Sequence, residues 1–335
     1  MKNSEELIYA PVLIPTLNRY DHFVRCLESL EECTGAEKTD VYVALDYPPS
    51  EHYREGWKRI DAYLHEKENN NGFNHLIVYR RETNYFFSGK GNLTTAIKDL
   101  PECIDRYIIS EDDNIFSPNF LEYVNDGLEK FENDPNCLAV CGYNYQGVKL
   151  NGYNYNCYLS REYSAWGVGS WKKKREKLEY IFKIDYAKFI MSKWENIWKL
   201  YKNEPRLLNT ILLNLDCGKI FGDTMLVSYQ YLNNKYSLFP KTSKIRNMGF
   251  DGTGTSIFEV DNSYMSQIID SESHFVCDMV DSKSIDVAAL EVRRNFKRSW
   301  VMNIIILIRC VVYYFTKIDI LYFEAKRRNK ALFKD

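Results

Sequence analysis

The chain has 335 residues, of which 45% are hydrophobic and 27% charged, so it is long enough for one large domain, or two closely joined ones, around a buried core. Its formal net charge is -2, which excludes a global attraction to nucleic acid, and no nucleic-acid partner is expected. The 9 cysteines include no CxxC pair, which argues against a zinc site or a disulfide framework and favours a reducing compartment. The N-terminus lacks a basic segment followed by a long apolar stretch, so a cytoplasmic protein without a signal peptide or signal anchor is expected.

Short apolar segments alternate with helical patterns in the first third of the chain. Four segments are predicted to be strands, at residues 10–15, 40–46, 76–80 and 106–110, and the first of them is predicted to be buried. Three intervening segments are predicted to be helices, at residues 21–33, 51–67 and 92–100. This alternation predicts βαβ units, and therefore an α/β fold with a mostly parallel sheet flanked by helices.

Polar residues suited to ligand binding follow each of the four predicted strands. In chain order they are Thr16, Arg19, Asp46, Lys90, Asn92, Glu111, Asp112 and Asp113. Open parallel sheets bind ligands at the carboxyl ends of their strands. The coincidence at four successive strand ends therefore predicts a nucleotide-type site.

Three consecutive carboxylates, Glu111 to Asp113, follow the fourth strand. Neighbouring negative charges repel one another and raise one another's pKa values, so a bound cation would stabilise them. Mg²⁺ and Mn²⁺ prefer oxygen ligands, and Mg²⁺ needs only one or two protein carboxylates when phosphate and water complete its shell. The alternative is a solvated acidic turn in front of a helix that begins near Pro118, where acidic residues are ordinary.

The pattern loosens after about residue 150, where a polar, turn-rich connector occupies residues 151–156. A soft boundary is placed there, with a second half that continues to about residue 275. Residues 176–201 are predicted to be helical. Residues 285–335 differ from the rest, because basic residues flank an apolar stretch at 300–315.

Charged residues interrupt this C-terminal apolar segment, namely Arg309, Lys317 and Asp319. A spanning helix needs about 20 largely uncharged residues. The segment is therefore predicted to be an interfacial amphipathic helix on the membrane surface, with Arg293, Arg294, Lys297, Arg298, Lys326, Arg327, Arg328 and Lys330 as its basic flanks. The alternative is a C-terminal helix packed on the domain.

Residues 108–123, Ile-Ile-Ser-Glu-Asp-Asp-Asn-Ile-Phe-Ser-Pro-Asn-Phe-Leu-Glu-Tyr, resemble the strand and EDD motif of inverting GT-A fold glycosyltransferases. They are especially similar to N-acetylglucosaminyltransferase I and to related bacterial polysaccharide glycosyltransferases, over roughly residues 8–256. The resemblance implies a GT-A (Rossmann-like) fold, Mn²⁺ or Mg²⁺ as cofactor, and transfer of a hexosyl or N-acetylhexosaminyl group from a UDP-sugar to a glycan acceptor. The expected setting is synthesis of a bacterial surface polysaccharide, capsule or lipopolysaccharide, at the cytoplasmic face of the inner membrane, where a lipid-linked acceptor would suit the amphipathic tail.

The resemblance also implies roles for the residues at the strand ends. Arg19 is expected to contact the nucleotide and Asp46 to accept a hydrogen bond from the base. Lys90 and Asn92 lie where related enzymes touch the nucleotide or diphosphate. Asp112 is expected to reach the ribose or donor sugar and Asp113 to bind the metal, while Glu111 is expected to be structural. Residues 1–150 then form the nucleotide-sugar-binding half, 151–275 the acceptor-binding and catalytic-base half, and 285–335 the membrane-associating tail.

Two segments of the second half resemble the same family. Residues 165–171 match a glycine- and tryptophan-containing loop beside the donor sugar, which implies that Gly167 and Trp171 contact the donor; the alternative is a buried turn with core tryptophans. Asp223 opens a predicted helix that precedes a strand ending at Pro240 and an N-x-G-F-type loop, an order that implies the catalytic base. The alternative for Asp223 is a helix N-cap. Asp251 and Glu259 are the reserve candidates, because Gly222 and Thr224 replace the aromatic residues that flank the acid in relatives.

Two other functions remain open on the sequence. A sugar nucleotidyltransferase shares the sheet and the acids, but it usually carries a G-x-G-T-R-type loop where this chain has Pro-Thr-Leu-Asn-Arg at residues 15–19. A non-catalytic membrane-bound scaffold with the same fold is the third reading.

Overall fold

The structure is a computed structural model that describes residues 9–86, 88, 91–148, 150–253, 260–280, 285, 291 and 299–328. The strands within these residues are β1 Val12–Thr16, β2 Asp40–Leu45, β3 His75–Arg80, β4 Arg106–Ile109, β5 Asn114–Phe116, β6 Cys137–Cys141, β7 Cys157–Ser160, β8 Val168–Trp171, β9 Tyr236–Pro240 and β10 Ile245–Asn247. The helices are α1 Tyr20–Glu31, α2 Glu51–Lys67, α3 Asn92–Asp99, α4 Phe120–Lys130, α5 Lys172–Glu176, α6 Ile184–Ser192, α7 Trp194–Asn203, α8 Pro205–Cys217, α9 Gly222–Asn233, α10 Asn262–Met265, α11 Trp300–Thr316 and α12 Tyr322–Arg328.

The four predicted strands and the three predicted helices between them are confirmed as β1 to β4 and α1 to α3. Strands β1, β2 and β4 are almost continuous apolar runs because they are buried on both faces of the sheet, whereas the edge strand β3 is only partly buried. In β1, Val12 and Ile14 belong to the core under α1, α2 and α4, whereas Leu13 belongs to the core under α3 and α6 to α9. One sheet between two helical layers is therefore encoded in the strand sequence itself.

Eight strands form one sheet in the order β3-β2-β1-β4-β8-β6-β9-β7. Strands β3, β2, β1 and β4 are parallel to one another, while β8 runs antiparallel to β4 and β6, and β7 antiparallel to β9. The predicted α/β class, a mostly parallel sheet flanked by helices, is confirmed. The chain builds outward from β1 to β3 and then returns to place β4 on the other side of β1. The order reverses between β1 and β4, and ligands bind at such switch points.

Strands from both sides of residue 150 share this sheet, since β8 lies between β4 and β6. The predicted helical segment 176–201 is not one helix, since it contains the end of α5, a 3₁₀ turn at Glu179–Phe182, α6 and most of α7. Its backbone is extended at Lys183 and Lys193, where α6 and α7 begin. These breaks let the apolar faces of both helices pack into the same core.

The predicted C-terminal helix is confirmed as α11, followed by α12. No helix within the described ranges is long and apolar enough to cross a membrane.

Candidate active site

The carboxyl ends of β1 and β4 bring Thr16, Arg19 and two of the three acids into contact. The Thr16 hydroxyl donates a hydrogen bond of 2.9 Å to Oδ2 of Asp112. The Arg19 guanidinium donates 2.7 Å to Oδ2 of Asp113 and also pairs with Oδ1 of Asp112. Residues nearly one hundred positions apart therefore meet because parallel pairing of β1 with β4 aligns their ends.

The ion pairs of Arg19 offset part of the repulsion among the three acids. Burial disfavours the charge on Arg19, but Asp112 and Asp113 outweigh it and raise the pKa of the guanidinium. Burial raises the pKa of the Asp112 carboxyl, and Arg19 opposes that rise without cancelling it. One arginine cannot neutralise three carboxylates, so the cluster keeps an excess of negative charge.

This excess opposes the ionisation of Glu111. Its side chain is exposed and accepts no hydrogen bond from a described residue. Desolvation by the surrounding protein, and then the charges of Asp113, Asp223 and Asp112, raise the pKa of Glu111 to about 8. Asp223, the acid predicted from the second half of the chain, therefore lies within electrostatic range of the acids of the first half.

The loop after β10 closes over Asp113. Strand β10 pairs antiparallel with β5, which places Asn247 opposite Asn114. The Asn247 amide donates 2.7 Å to Oδ1 of Asp113, and the backbone N–H of Met248 donates 2.8 Å to the Asp113 carbonyl. A Cβ atom on Gly249 would lie 2.1 Å from Oδ2 of Asp113, so only glycine fits there. Asn247 received no role in the sequence analysis, although the N-x-G-F-type loop contains it.

His22 on α1 fastens the same loop from the other side. Its Nε2 lies 3.0 Å from Oδ2 of Asp251 and 3.3 Å from the Met248 carbonyl. The other oxygen of Asp251 accepts hydrogen bonds from the backbone N–H and hydroxyl of Thr253, at 3.0 and 2.7 Å. Asp251 is thereby committed to the loop, and the second reserve base, Glu259, lies outside the described residues.

Asp223 lies in the first turn of α9, and Phe221 rather than Asp223 occupies the N-cap position. Its carboxylate is solvent-accessible and accepts no hydrogen bond from a described residue. Desolvation by the surrounding protein raises the pKa of Asp223 to about 6, and the charge of Arg175 opposes the rise. Asp223 is thus an accessible carboxylate that is not used as a cap and is ionised at neutral pH.

The polar side-chain atoms of Asp46 and Asn92 form hydrogen bonds within the protein. The Asp46 carboxylate accepts hydrogen bonds from the backbone N–H groups of Tyr47, Tyr85 and Phe86 at 2.8–2.9 Å, and from the Asn84 amide at 3.2 Å. Asn92 donates 2.7 Å to the Ala44 carbonyl and accepts from Arg81. Both residues position backbone in this structure, and their contacts with a nucleotide stay predictions. Lys90 lies outside the described residues.

The prediction that Trp171 contacts the donor is wrong on this geometry. Antiparallel pairing sets Trp171 opposite Arg106, at the start of β4, whereas the acids follow the end of β4. Its ring is 4% exposed and lies under the Lys174 ammonium, 3.5 Å from the ring centroid. Gly167, by contrast, directly precedes β8 at the end where the acids lie. Its backbone has a φ of 60°, and a Cβ atom there would meet Ile245 at 2.7 Å. Packing alone therefore demands a glycine at this position, and its contact with a donor stays a prediction.

The carboxylates that follow β4 are chemically suited to bind a hard divalent cation. Glu111, Asp112 and Asp113 offer carboxylate oxygens in one turn, and one or two of these suffice when diphosphate completes the shell. The described residues include no group of three His, Cys, Asp or Glu side chains arranged to hold a metal by themselves. A cation would therefore bind here together with a phosphate-bearing ligand and in competition with Arg19.

No protein-family model and no curated protein sequence matches this chain. Among solved structures, S. aureus TarS 1-349 superimposes with a TM-score of 0.43 at 11% identity, over 97% of this chain and 89% of that one. The mannosyltransferase PcManGT from Pyrobaculum calidifontis, solved with GDP-Man and Mn²⁺, gives 0.38 at 12% identity, over 97% and 84%. The galactosyltransferase LgtC, solved with donor and acceptor sugar analogues, gives 0.33 at 11% identity, over 66% and 70%. At this level of similarity, the function has to be argued from the residues of the site.

Proposed function

We propose that this protein is an inverting, metal-dependent glycosyltransferase of the GT-A class that transfers a hexosyl or N-acetylhexosaminyl group from a UDP-sugar to a glycan acceptor. One observation carries the proposal. Asp223 of α9, from the second half of the chain, lies close enough to the acids at the β1–β4 switch point for its charge to raise the pKa of Glu111, and its own carboxylate is solvent-accessible and not used as a helix cap. A sugar nucleotide between them would have a cation site at its diphosphate and a base on its other side.

The donor side of the proposal uses the residues after β1 and β4. Asp113 would hold the cation, with Glu111 or Asp112 as a second carboxylate. The bound cation would neutralise the diphosphate and so make it a better leaving group. Arg19 adds a fixed positive charge beside the same phosphates, and Asn247 keeps Asp113 oriented through its 2.7 Å hydrogen bond.

The transfer step is assigned to Asp223. Its carboxylate removes the proton from an acceptor hydroxyl, and the acceptor oxygen forms a bond to the anomeric carbon on the face opposite the diphosphate. The bond from that carbon to the diphosphate oxygen breaks, and UDP leaves with the electron pair. A single displacement inverts the anomeric configuration. With a pKa of about 6, Asp223 is ionised at neutral pH and more basic than an ordinary aspartate.

The acceptor is proposed to be a bacterial surface glycan. This part of the proposal rests on the resemblance of the EDD segment to N-acetylglucosaminyltransferase I and bacterial polysaccharide glycosyltransferases, which also suggests UDP as the nucleotide. Pocket shape and a few hydrogen bonds decide the sugar and the linkage.

The donor assignment is tested by thermal denaturation of the full chain with a panel of nucleotide sugars, with and without Mn²⁺. A donor that binds the folded state raises the melting temperature by mass action. Wild type is expected to respond to a UDP-sugar only with Mn²⁺, and Asp113→Ala to lose that response. If no nucleotide sugar shifts the wild-type transition, the proposed donor class is wrong.

The base assignment needs a separate pair of variants. Asp223→Asn is expected to keep the donor-induced shift but to transfer sugar about 10²–10⁴-fold more slowly, the range for loss of a general base. Asp251→Asn, at the acid committed to His22 and Thr253, is the matched control and should keep far more of the transfer rate. Normal transfer by Asp223→Asn would contradict the assignment. Pyrophosphate release from UTP and a sugar phosphate would instead indicate a nucleotidyltransferase.

A further inference from the structure

Helix α11 is fixed to the domain along one side. Ile306, Arg309 and Cys310 are buried there, against the layer that contains α6, α7 and α8. The Arg309 guanidinium donates 3.0 Å to Oδ1 of Asp319, pairs with Oδ2 of the same residue, and bonds to Asn209 of α8. Two of the charges that interrupt the apolar sequence therefore neutralise each other. They hold α11 and the turn after it in place.

The opposite side of α11 is apolar and open to solvent. Five large side chains on this side are exposed: Trp300, Val301, Ile304, Ile308 and Phe315. At the helical rotation per residue, these positions fall within an arc of about 100°, and the buried positions lie outside it. Ile318, Ile320 and Phe323 extend the exposed apolar side chains beyond the helix.

Aromatic residues of α7 continue this surface. The Trp194 ring lies 5.9 Å from the ring of Tyr314 on α11, and it stacks on Trp198 at 6.3 Å. Lysines line the same region, since the Lys317 ammonium lies 5.4 Å from the Tyr314 centroid and that of Lys202 lies 5.0 Å from the Trp198 centroid. Trp and Tyr with neighbouring Lys suit the headgroup layer of a bilayer, where rings sit at the apolar boundary and ammonium groups reach the polar side.

The charge around this surface is locally positive. Residues 183–203 and 299–328 contain ten Lys and Arg against four Asp and Glu, whereas the whole chain has 44 against 46. Three of those acids are already paired: Asp185 with Lys188, Asp319 with Arg309, and Glu324 with Arg327 and Arg328. An anionic surface is therefore the complementary partner, because cations near such a surface are attracted to it.

We propose that α7, α11 and residues 317–328 form a rigid interfacial surface that binds an anionic lipid bilayer without crossing it. The apolar arc enters the boundary between headgroups and acyl chains, and the lysines and arginines contact the lipid phosphates. The surface is part of the folded domain and not a loose tether, because Arg309 and Asp319 fix it to α8. It therefore presents the domain to the membrane in one orientation. This inference does not depend on the proposed sugar transfer.

The test is co-sedimentation of the full chain with vesicles of phosphatidylcholine alone or mixed with phosphatidylglycerol. Wild type is expected to pellet with the mixed vesicles, less with the neutral ones, and less as salt is raised. The double variant Ile308→Gln/Phe315→Gln should reduce partitioning at least about tenfold, since two exposed anchors are lost. The matched control is Ile268→Gln/Met279→Gln, because these side chains are 82% and 72% exposed outside the proposed surface.

A second pair of variants tests the electrostatic part. Lys317→Gln/Lys326→Gln should weaken binding to the mixed vesicles by about fivefold for each charge removed, and leave binding to neutral vesicles unchanged. Equal pelleting with both vesicle types, or no pelleting, would overturn the proposal. So would a dimer in light scattering that Ile308→Gln/Phe315→Gln dissociates, because the surface would then be an interface between two copies of this chain. Melting curves show whether each variant is folded. If Ile308→Gln/Phe315→Gln does not fold, Lys317→Gln/Lys326→Gln still tests the proposal.

Discussion

At the scale of single residues, Arg19 explains how three adjacent acids are tolerated beside a buried strand. The sequence predicts that a metal neutralises these acids and that Arg19 contacts a nucleotide. In the structure, Arg19 itself bonds to Asp112 and Asp113. The prediction of a metal and these ion pairs are compatible if a cation replaces Arg19 as the partner of Asp112 and Asp113 when a sugar nucleotide binds.

Arg19→Met is expected to lower the free energy of unfolding by about 3 kcal/mol, because it leaves two buried carboxylates without their partner. Mn²⁺ should then raise the melting temperature of the variant more than that of wild type, since the cation relieves the repulsion between Asp112 and Asp113 that Arg19 no longer offsets. Urea denaturation and thermal melting with and without Mn²⁺ measure both effects. Arg25→Met, at an exposed position of the same helix, is the control. Equal stability of Arg19→Met and wild type would show that the ion pairs contribute nothing.

The raised pKa of Asp223 predicts a pH dependence with a definite sign. The base must be ionised, so the transfer rate should fall as pH drops through about 6 and stay level above it. Arg175 lowers this pKa, and Arg175→Met should therefore move the acidic limb to higher pH. The measurement is kcat/KM against pH, which reports groups of the free enzyme, with Lys177→Met, an exposed cation two residues away, as control. An unmoved limb in Arg175→Met would contradict the assignment of the limb to Asp223.

At the scale of elements, the short pair β5–β10 completes the site. Strand β5 begins at the residue after Asp113, and β10 carries Asn247 and the loop that covers Asp113. Neither strand was predicted, because each has only three residues and short runs carry no readable periodicity. Their pairing depends on residues more than one hundred positions apart.

Gly249→Ala tests this closure. Its Cβ atom would lie 2.1 Å from Oδ2 of Asp113, so the loop or the carboxylate has to move. Overpacking of this kind costs about 1–3 kcal/mol, and Mn²⁺-dependent donor binding should weaken as well. In Gly222→Ala, the new atom would meet Phe182 at an ordinary 3.6 Å, and stability should hardly change. Donor titrations by calorimetry and melting curves measure the two effects; wild-type donor affinity in Gly249→Ala would argue against a role for this loop.

At the scale of the whole molecule, residues 266–278 act as a return segment that ties distant elements together. The fully buried ammonium of Lys244 donates 3.0 Å to Asn119, pairs with Asp270, and lies 3.8 Å from the Phe275 ring centroid. Elsewhere the segment bonds to Thr34, Glu122 and Asn156. Lys244, which directly precedes β10, thereby joins the start of α4 to the return segment through one buried cation.

Lys244→Met is expected to cost about 3 kcal/mol, since Asp270 loses its partner in a poorly hydrated place. Hydrogen exchange should accelerate first in the return segment and only later in β1 to β4. The double variant Lys244→Met/Asp270→Leu should recover part of the loss, because it removes both charges. A double variant as unstable as the single one would mean that the cost comes from packing and not from an unpaired charge.

The sequence by itself determined the α/β class, the positions of β1 to β4 and the acids that follow them. The apolar periodicity of a strand or helix, and the polar residues that follow a strand, are properties of consecutive residues. These features could therefore be predicted without a structure. The tertiary structure decided which candidates meet. Parallel pairing of β1 with β4 joined Arg19 to the acids, and antiparallel pairing placed Trp171 at the opposite end of β4. The packing of α9 against α7 and α8 placed Asp223 within electrostatic range of Glu111. Such contacts depend on register and on pairing between distant segments, and no local pattern records them.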